Sequence, residues 1–281
     1  MATAVTSMAP HRDRSRLAPG SVAALTTLSR RRFTLTARTP RELFVPLLTP
    51  ILFALVIAPA LMTALHTSVA YESFVAIGTI GLLIPLNTMF SGLSVLVDRD
   101  TGAARELLAA PVPRSLLVLG NLTVALIITA FQVVALIAAA LARGIDFHAS
   151  ATGVVWFVAA ATLFAVGMYG AAEVLAGRVT RQEEYIARVP AVAILPWFLA
   201  GSLFPITAMP HALTMIARVL PLTHGLAVMR YGLLGDTTGL ANIWGMANAT
   251  TMAVLNLAVV ALFAASLTVI ALRVFARSVS R

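Results

Sequence analysis

The chain has no cysteine among its 281 residues, so disulfides and thiolate metal sites are excluded. It has no lysine either, and all twenty basic residues are arginine. The phosphate loop of most nucleotide hydrolases, G-x-x-x-x-G-K-[ST], needs a lysine to reach the phosphates, so this chain contains no such loop. Charge is scarce as well: 11% of residues are charged against 59% hydrophobic, where soluble domains carry roughly 25% and 45–50%. The five histidines (His11, His66, His148, His211, His224) are too scattered for a metal-ligand spacing such as H-E-x-x-H, and no metal site is expected.

What remains is oil arranged in long runs, with a mean hydropathy of +0.93. Crossing the hydrocarbon layer takes roughly 20 apolar residues in a helix. That ruler predicts an all-α integral membrane protein with six transmembrane helices, at 43–65, 74–97, 116–142, 151–176, 189–209 and 243–272. The net charge of +9 does not point to nucleic acid, because the arginines cluster between and beside the apolar runs. Seventeen of the twenty fall before span one, in the connections after spans two and four, and in the tail, whereas the other connections hold only Arg143, Arg218 and Arg230. This imbalance predicts that both termini are cytoplasmic in a multi-pass protein of the cell membrane.

Residues 1–20 read as a disordered leader. Over 21–42, Val22, Leu25, Leu28, Phe33 and Leu35 alternate with five arginines, as in an amphipathic helix lying at the inner interface. The connection 210–242 is too long for a hairpin and too apolar for a solvated loop. It is expected to form two short helices broken at Pro221, a re-entrant segment at the outer leaflet in which Arg230 argues against a full crossing.

The connection 98–115 is the richest in chemistry: Asp98-Arg99-Asp100-Thr101-Gly102-Ala103-Ala104-Arg105-Glu106-Leu107-Leu108-Ala109-Ala110-Pro111. Acidic residues ahead of a helix-forming run with a proline stop predict a short helix carrying negative charge at its positive end, with Leu107 and Leu108 as an apolar contact face. The alternative is a short loop with solvated charges. Within the spans, Glu173 lies one turn from Gly177-Arg178 and reads as a snorkelling interfacial carboxylate. Asn87, Asn121, Gln132 and Asn256 suit interhelical hydrogen bonds or a polar path, and Gly167 and Gly170 suit close helix packing. Asn87, Phe90, Trp197 and Phe198 are the candidate substrate path; for Trp197, Phe198 and Phe204 the competing reading is packing against lipid or a second subunit.

The stretch from Asp98 to Pro111 resembles the E-R-E-x-G-T-x-x-x-L-x-x-x-P signature after span two in the membrane subunits of type-2 ABC exporters, the group with the daunorubicin-resistance-type permeases. Asp98, Arg99, Asp100, Gly102, Leu107 and Pro111 hold the matching places, with Asp for Glu twice and Ala103 for the usual Thr. Arg38-Thr39-Pro40 and Leu220-Pro221-Leu222-Thr223-His224 match two further family stretches in order. The resemblance implies a permease subunit that dimerises, with itself or a related chain, and docks on a separate ABC ATPase through a coupling segment comprising Asp98, Arg99, Asp100, Gly102, Arg105, Glu106, Leu107, Leu108 and Pro111. ATP and Mg would belong to that partner, with no cofactor on this chain and no enzymatic site of its own. The implied activity is efflux of a hydrophobic or amphipathic compound such as a drug, antibiotic or lipid. Two other readings stay open on the residues alone: an ion-gradient-driven secondary transporter, which nearly charge-free spans disfavour, and a membrane enzyme acting on lipid or prenyl phosphates.

Overall fold

The computed structural model describes residues 19–37, 51–57, 69–103 and 113–278, together with positions 48, 59–60 and 107. Among the described residues all regular structure is helical. The helices are α1 (Pro19–Ala37), α2 (Val69–Ser91), α3 (Leu93–Asp100), α4 (Arg114–Ala142), α5 (Ala151–Ala176), α6 (Gln182–Leu199), α7 (His211–Val219), α8 (Pro221–Leu234), α9 (Thr238–Trp244) and α10 (Ala249–Ser278).

Four of these are long and apolar enough to cross a membrane: 71–100 (α2 with α3), 115–142, 151–176 and 249–275. A fifth is reached if α7 and α8, which meet at 80°, count as one broken span. Six spans are therefore not all visible. Most of the expected first span, 43–65, lies outside the described residues, as do residues 1–18 of the leader. The expected fifth, 189–209, is helical only as far as Leu199, and it begins earlier, at Gln182, with Glu183, Glu184 and Arg188 in its opening turns. Beyond Leu199, Gly201 takes the left-handed conformation (φ 76°), a single turn of 3-10 helix covers Ile206–Ala208, and Pro205 and Pro210 supply no N–H. Apolar composition persisted where backbone hydrogen bonding could not.

The sixth span is likewise shifted. Its expected start falls in α9, which ends at Gly245 (φ 66°), and α10 begins only at Ala249. The expected break at Pro221 is present, with α7 closing at Leu220 and Pro221 in the first turn of α8.

α5 is the hub, packing on α10, α8, α2 and α4. Gly167 and Gly170 allow the α10 contact: a Cβ at Gly167 would stand 2.6 Å from the Phe263 ring, and one at Gly170 would stand 2.9 Å from the Leu267 backbone. The span 71–100 has 72% of its most apolar window buried against 22% for α10, so α2 is the central strut while α10 lies at the edge of the bundle. α1 runs along α4, and a Cβ at Gly120 would touch Leu28 at 3.2 Å. Leu25 and Leu28 are half-buried by this contact, while Val22 and Phe33 stay exposed. A helix is thus present over Pro19–Ala37, and one side of it packs on α4.

Candidate functional site at the arginine-rich end

Span two does not end where its apolar run ends. α3 continues it through Asp98, Arg99 and Asp100, and stops at Thr101 and Gly102, whose φ of 78° ends the helix. The three charged residues therefore close one helix rather than head the next, which corrects the expected placement. Two carboxylates at the negative end of a helix are unfavourable alone. Each finds help elsewhere.

Asp98 faces Arg31 of α1 at 3.9 Å, with only 14% of its side chain exposed. Asp100 accepts from Gln182 Nε2, at the start of α6, at 2.7 Å. Arg99 turns the other way and donates from Nη1 to the Ala176 carbonyl at 2.9 Å, so its cation meets the C-terminal end of α5. Three consecutive side chains thus reach three different helices.

About two turns deeper, Gly92 interrupts the span between α2, which ends at Ser91, and α3, which begins at Leu93. The Met89 carbonyl accepts from Gly92 N at 3.1 Å and from the Tyr185 hydroxyl of α6 at 2.5 Å. Tyr185 is fully buried, and a Cβ at Gly92 would stand 2.3 Å from its hydroxyl oxygen. Only glycine admits the phenol here. At the far end of the same pair of helices, buried Trp197 donates from Nε1 to the Gly78 carbonyl at 2.6 Å.

Glu173 does not snorkel. It is 5% exposed and accepts a short hydrogen bond from Tyr169, one turn back on α5, whose hydroxyl also faces the Val118 carbonyl of α4 at 3.5 Å. The i, i+4 spacing of Tyr169 and Glu173 was the readable signal for this pair.

Of the remaining expected site residues, Arg105, Glu106, Leu108 and Pro111 lie outside the described residues, and Leu107 is half-buried. The candidate path residues are not gathered into one channel. Asn87 donates to Thr129 of α4, Trp197 is sealed against α2, Phe90 is half-buried, and Phe198 is 51% exposed, edge-on to Trp197 at 4.8 Å. Arg31, Gln182 and Tyr185 were not singled out, because nothing local in the sequence marks a long-range partner.

At the opposite end, Arg230 of α8 is buried. Its guanidinium stacks on Phe74 at 3.4 Å and donates to the Ser202 and Phe74 carbonyls at 3.1 and 3.4 Å. A cleft of about 540 Å³ opens beside it, lined by Tyr71, Ser73, Phe74, Asp146, His148 and Asp236 among others. Among the described residues no group of three or more histidines, aspartates and glutamates could hold a metal ion.

Comparison with known proteins fits this geometry. A family profile described as "ABC-2 type transporter" matches residues 23–234. The chain is also similar to the transport permease ycf38 of Porphyra purpurea, 25% identical over 201 residues that cover 69% of this chain and 68% of that one. The ycf38 protein of Pyropia yezoensis is 27% identical over 201 residues, with the same coverage.

Proposed function

This chain belongs to the ABC-2 type transporter family, and from that premise we propose that it is the permease subunit of an ATP-driven exporter, worked from its arginine-rich face by a separate ATPase. The observation that carries the reading is the end of span two, where Asp98, Arg99 and Asp100, the head of the segment that resembles the family's coupling signature, tie it to α1, α5 and α6. A push delivered between Asp98 and Pro111 has rigid levers to act on. Hydrolysis belongs to the partner, since this chain has no lysine for a phosphate loop.

The cargo we propose is hydrophobic or amphipathic, moved outward by two copies of this chain or by this chain with a related permease. Support comes from the character of the spans: the polar groups Asn87, Asn256 and Glu173 are buried and bonded within the protein, leaving apolar surface to meet a substrate. The experiment is reconstitution with a separate ABC ATPase subunit from the same organism. The permease should co-purify with that ATPase and raise its turnover, and replacement of Asp98, Asp100 and Gly102 together should abolish both effects. Uptake by the lone permease in vesicles holding an ion gradient and no nucleotide would overturn the reading in favour of secondary transport.

A further inference from the structure

The cleft of about 540 Å³ opposite the arginine-rich end plays no part in the proposed coupling segment. Its walls come from different parts of the chain. One is the start of α2, with Tyr71, Ser73 and Phe74, together with Asp146 from the connection between α4 and α5; the other includes Asp236, just past the end of α8. Pockets that take drug-sized molecules measure roughly 300–1,000 Å³, so the cleft has room for one. Aromatic rings and two carboxylates share its lining.

Those carboxylates are unpaired although arginines stand close by. Arg143, three residues before Asp146, instead faces Glu72 at 3.9 Å and donates to the Leu55 carbonyl at 3.1 Å. Arg230 gives its hydrogen bonds to the Ser202 and Phe74 carbonyls. Its guanidinium lies on the Phe74 ring and the residue is only 5% exposed, which largely withholds that charge from the cleft. Ser73 donates to the main-chain carbonyl of Asp146 at 3.4 Å, leaving the carboxylate alone, and Asp236 accepts from Thr238 N through Oδ1 at 2.8 Å. Among the described residues neither Asp146 nor Asp236 has an ion-pair partner. An anion entering the cleft would meet two like charges from opposite walls. A cation would meet two carboxylates and aromatic rings whose faces attract it.

We propose that this cleft binds a lipophilic cation, a molecule with one basic or quaternary centre on an aromatic or flat apolar body. Asp146 and Asp236 take the charge from the two walls, and Tyr71 and Phe74 take the body. The role that follows, an outer release site, narrows the cargo class proposed above and rests on that reading; the binding itself concerns the permease alone. Asp146 is exposed and Asp236 half-buried, so each acts as a partly screened partner worth a few-fold in affinity.

The probes are tetraphenylphosphonium and tetraphenylborate, a cation and an anion of nearly the same shape. Equilibrium dialysis against the permease in uncharged nanodiscs, with empty nanodiscs subtracted, should show saturable binding of the cation. Asp146→Asn or Asp236→Asn should weaken it a few-fold and the double variant about tenfold, while binding of the anion stays unchanged or tightens. Raising the salt should weaken cation binding in the parent more than in the double variant. Asparagine at 236 can still accept from Thr238 N, and should that variant nonetheless unfold, exposed Asp146→Asn decides the matter alone. Absence of saturable cation binding, equal losses for both ions, or a double variant that binds the cation as the parent does would overturn the proposal. A parent that binds the cation at these aspartates yet engages no ATPase refutes the exporter reading and leaves the site standing; ATPase coupling without cation binding does the reverse.

Discussion

Replacement of Gly92 by alanine tests the contact between span two and Tyr185 directly. The new Cβ would stand 2.3 Å from the Tyr185 hydroxyl oxygen and 3.0 Å from the Ala172 Cβ, well inside ordinary contact. The phenol must give way, and in doing so it leaves the Met89 carbonyl, which keeps its 3.1 Å bond from residue 92. Overpacking of this kind costs about 1–3 kcal/mol, and the lost hydrogen bond adds about 1 kcal/mol. Alanine also narrows the unfolded chain, and since residue 92 has ordinary helical angles (φ −67°, ψ −20°) it returns about 0.4–1 kcal/mol. The net expectation is a destabilisation of about 1–3 kcal/mol. Tyr185→Phe alone should cost about 1 kcal/mol. Combined, the two changes should cost less than their sum by about 1 kcal/mol, because removing the hydroxyl removes the atom that clashes. Thermal unfolding of the purified permease in detergent gives all four corners of the cycle. Strict additivity, or a Gly92→Ala protein as stable as the parent, would refute the claim that the phenol requires glycine there.

Removing Arg230 should destabilise the far end by about 2–4 kcal/mol, because Arg230→Ala leaves the Ser202 and Phe74 carbonyls without their donor; a melting temperature unchanged from the parent would show that those bonds carry nothing. Gly170→Ala should be tolerated less well than Gly167→Ala, since the new methyl meets Leu267 backbone in the first case and the side chain of Phe263 in the second. Yield of monodisperse protein ranks the two, and the opposite ranking counts against the packing of α5 on α10. His224 and Asn256 face each other at 2.6 Å across α8 and α10, so His224→Phe and Asn256→Leu should each destabilise, and together by less than their sum; additive losses in the same melting assay would mean that the pair does not interact. For orientation, the cysteine-free chain allows single substitutions Thr101→Cys and Asp146→Cys, which should be labelled by impermeant maleimide from the cytoplasmic and external sides respectively. Labelling of both from one side would sink the proposed topology.

Legibility in the sequence followed the range of the forces involved. Span four was readable to the residue, Ala151–Ala176, because its ends are local: the Ser150 side chain accepts from Gly153 N at 3.0 Å, and Gly177 follows. The break at Pro221 was readable for the same reason, since proline fixes its own φ and lacks a donor. The need for glycine at position 92 was not, because its neighbour there, Tyr185, lies far along the chain. Nor was the early end of α6, where the apolar run continues past Leu199 through Gly201 and Pro205 and hydropathy alone cannot see the turn. For Glu173 the nearby helix end points to snorkelling, whereas its Tyr169 partner one turn back and its burial keep the carboxyl inside the bundle. For Asp98 and Asp100 the sequence alone does not say which helix they belong to, since a charged triplet before a helix-forming run is equally the last turn of the span before it.

The two bonds between α2 and α6 bear on how a stroke would travel. Tyr185 holds the Met89 carbonyl near one end and Trp197 holds the Gly78 carbonyl near the other, eleven residues apart on α2 or about 16 Å at 1.5 Å per residue. Because the later residue of α6 meets the earlier residue of α2, the helices run antiparallel and are fastened at two heights. Two fastenings forbid the independent tilting that a single pivot would allow. Force entering at Asp100 and Gln182 would therefore reach Trp197 with little loss, and from there the Gly78 and Ser202 contact beside Arg230. α2 and α6 are thus a fastened pair, and the α5 and α10 pair has a seam of its own, closed by Gly167 and Gly170.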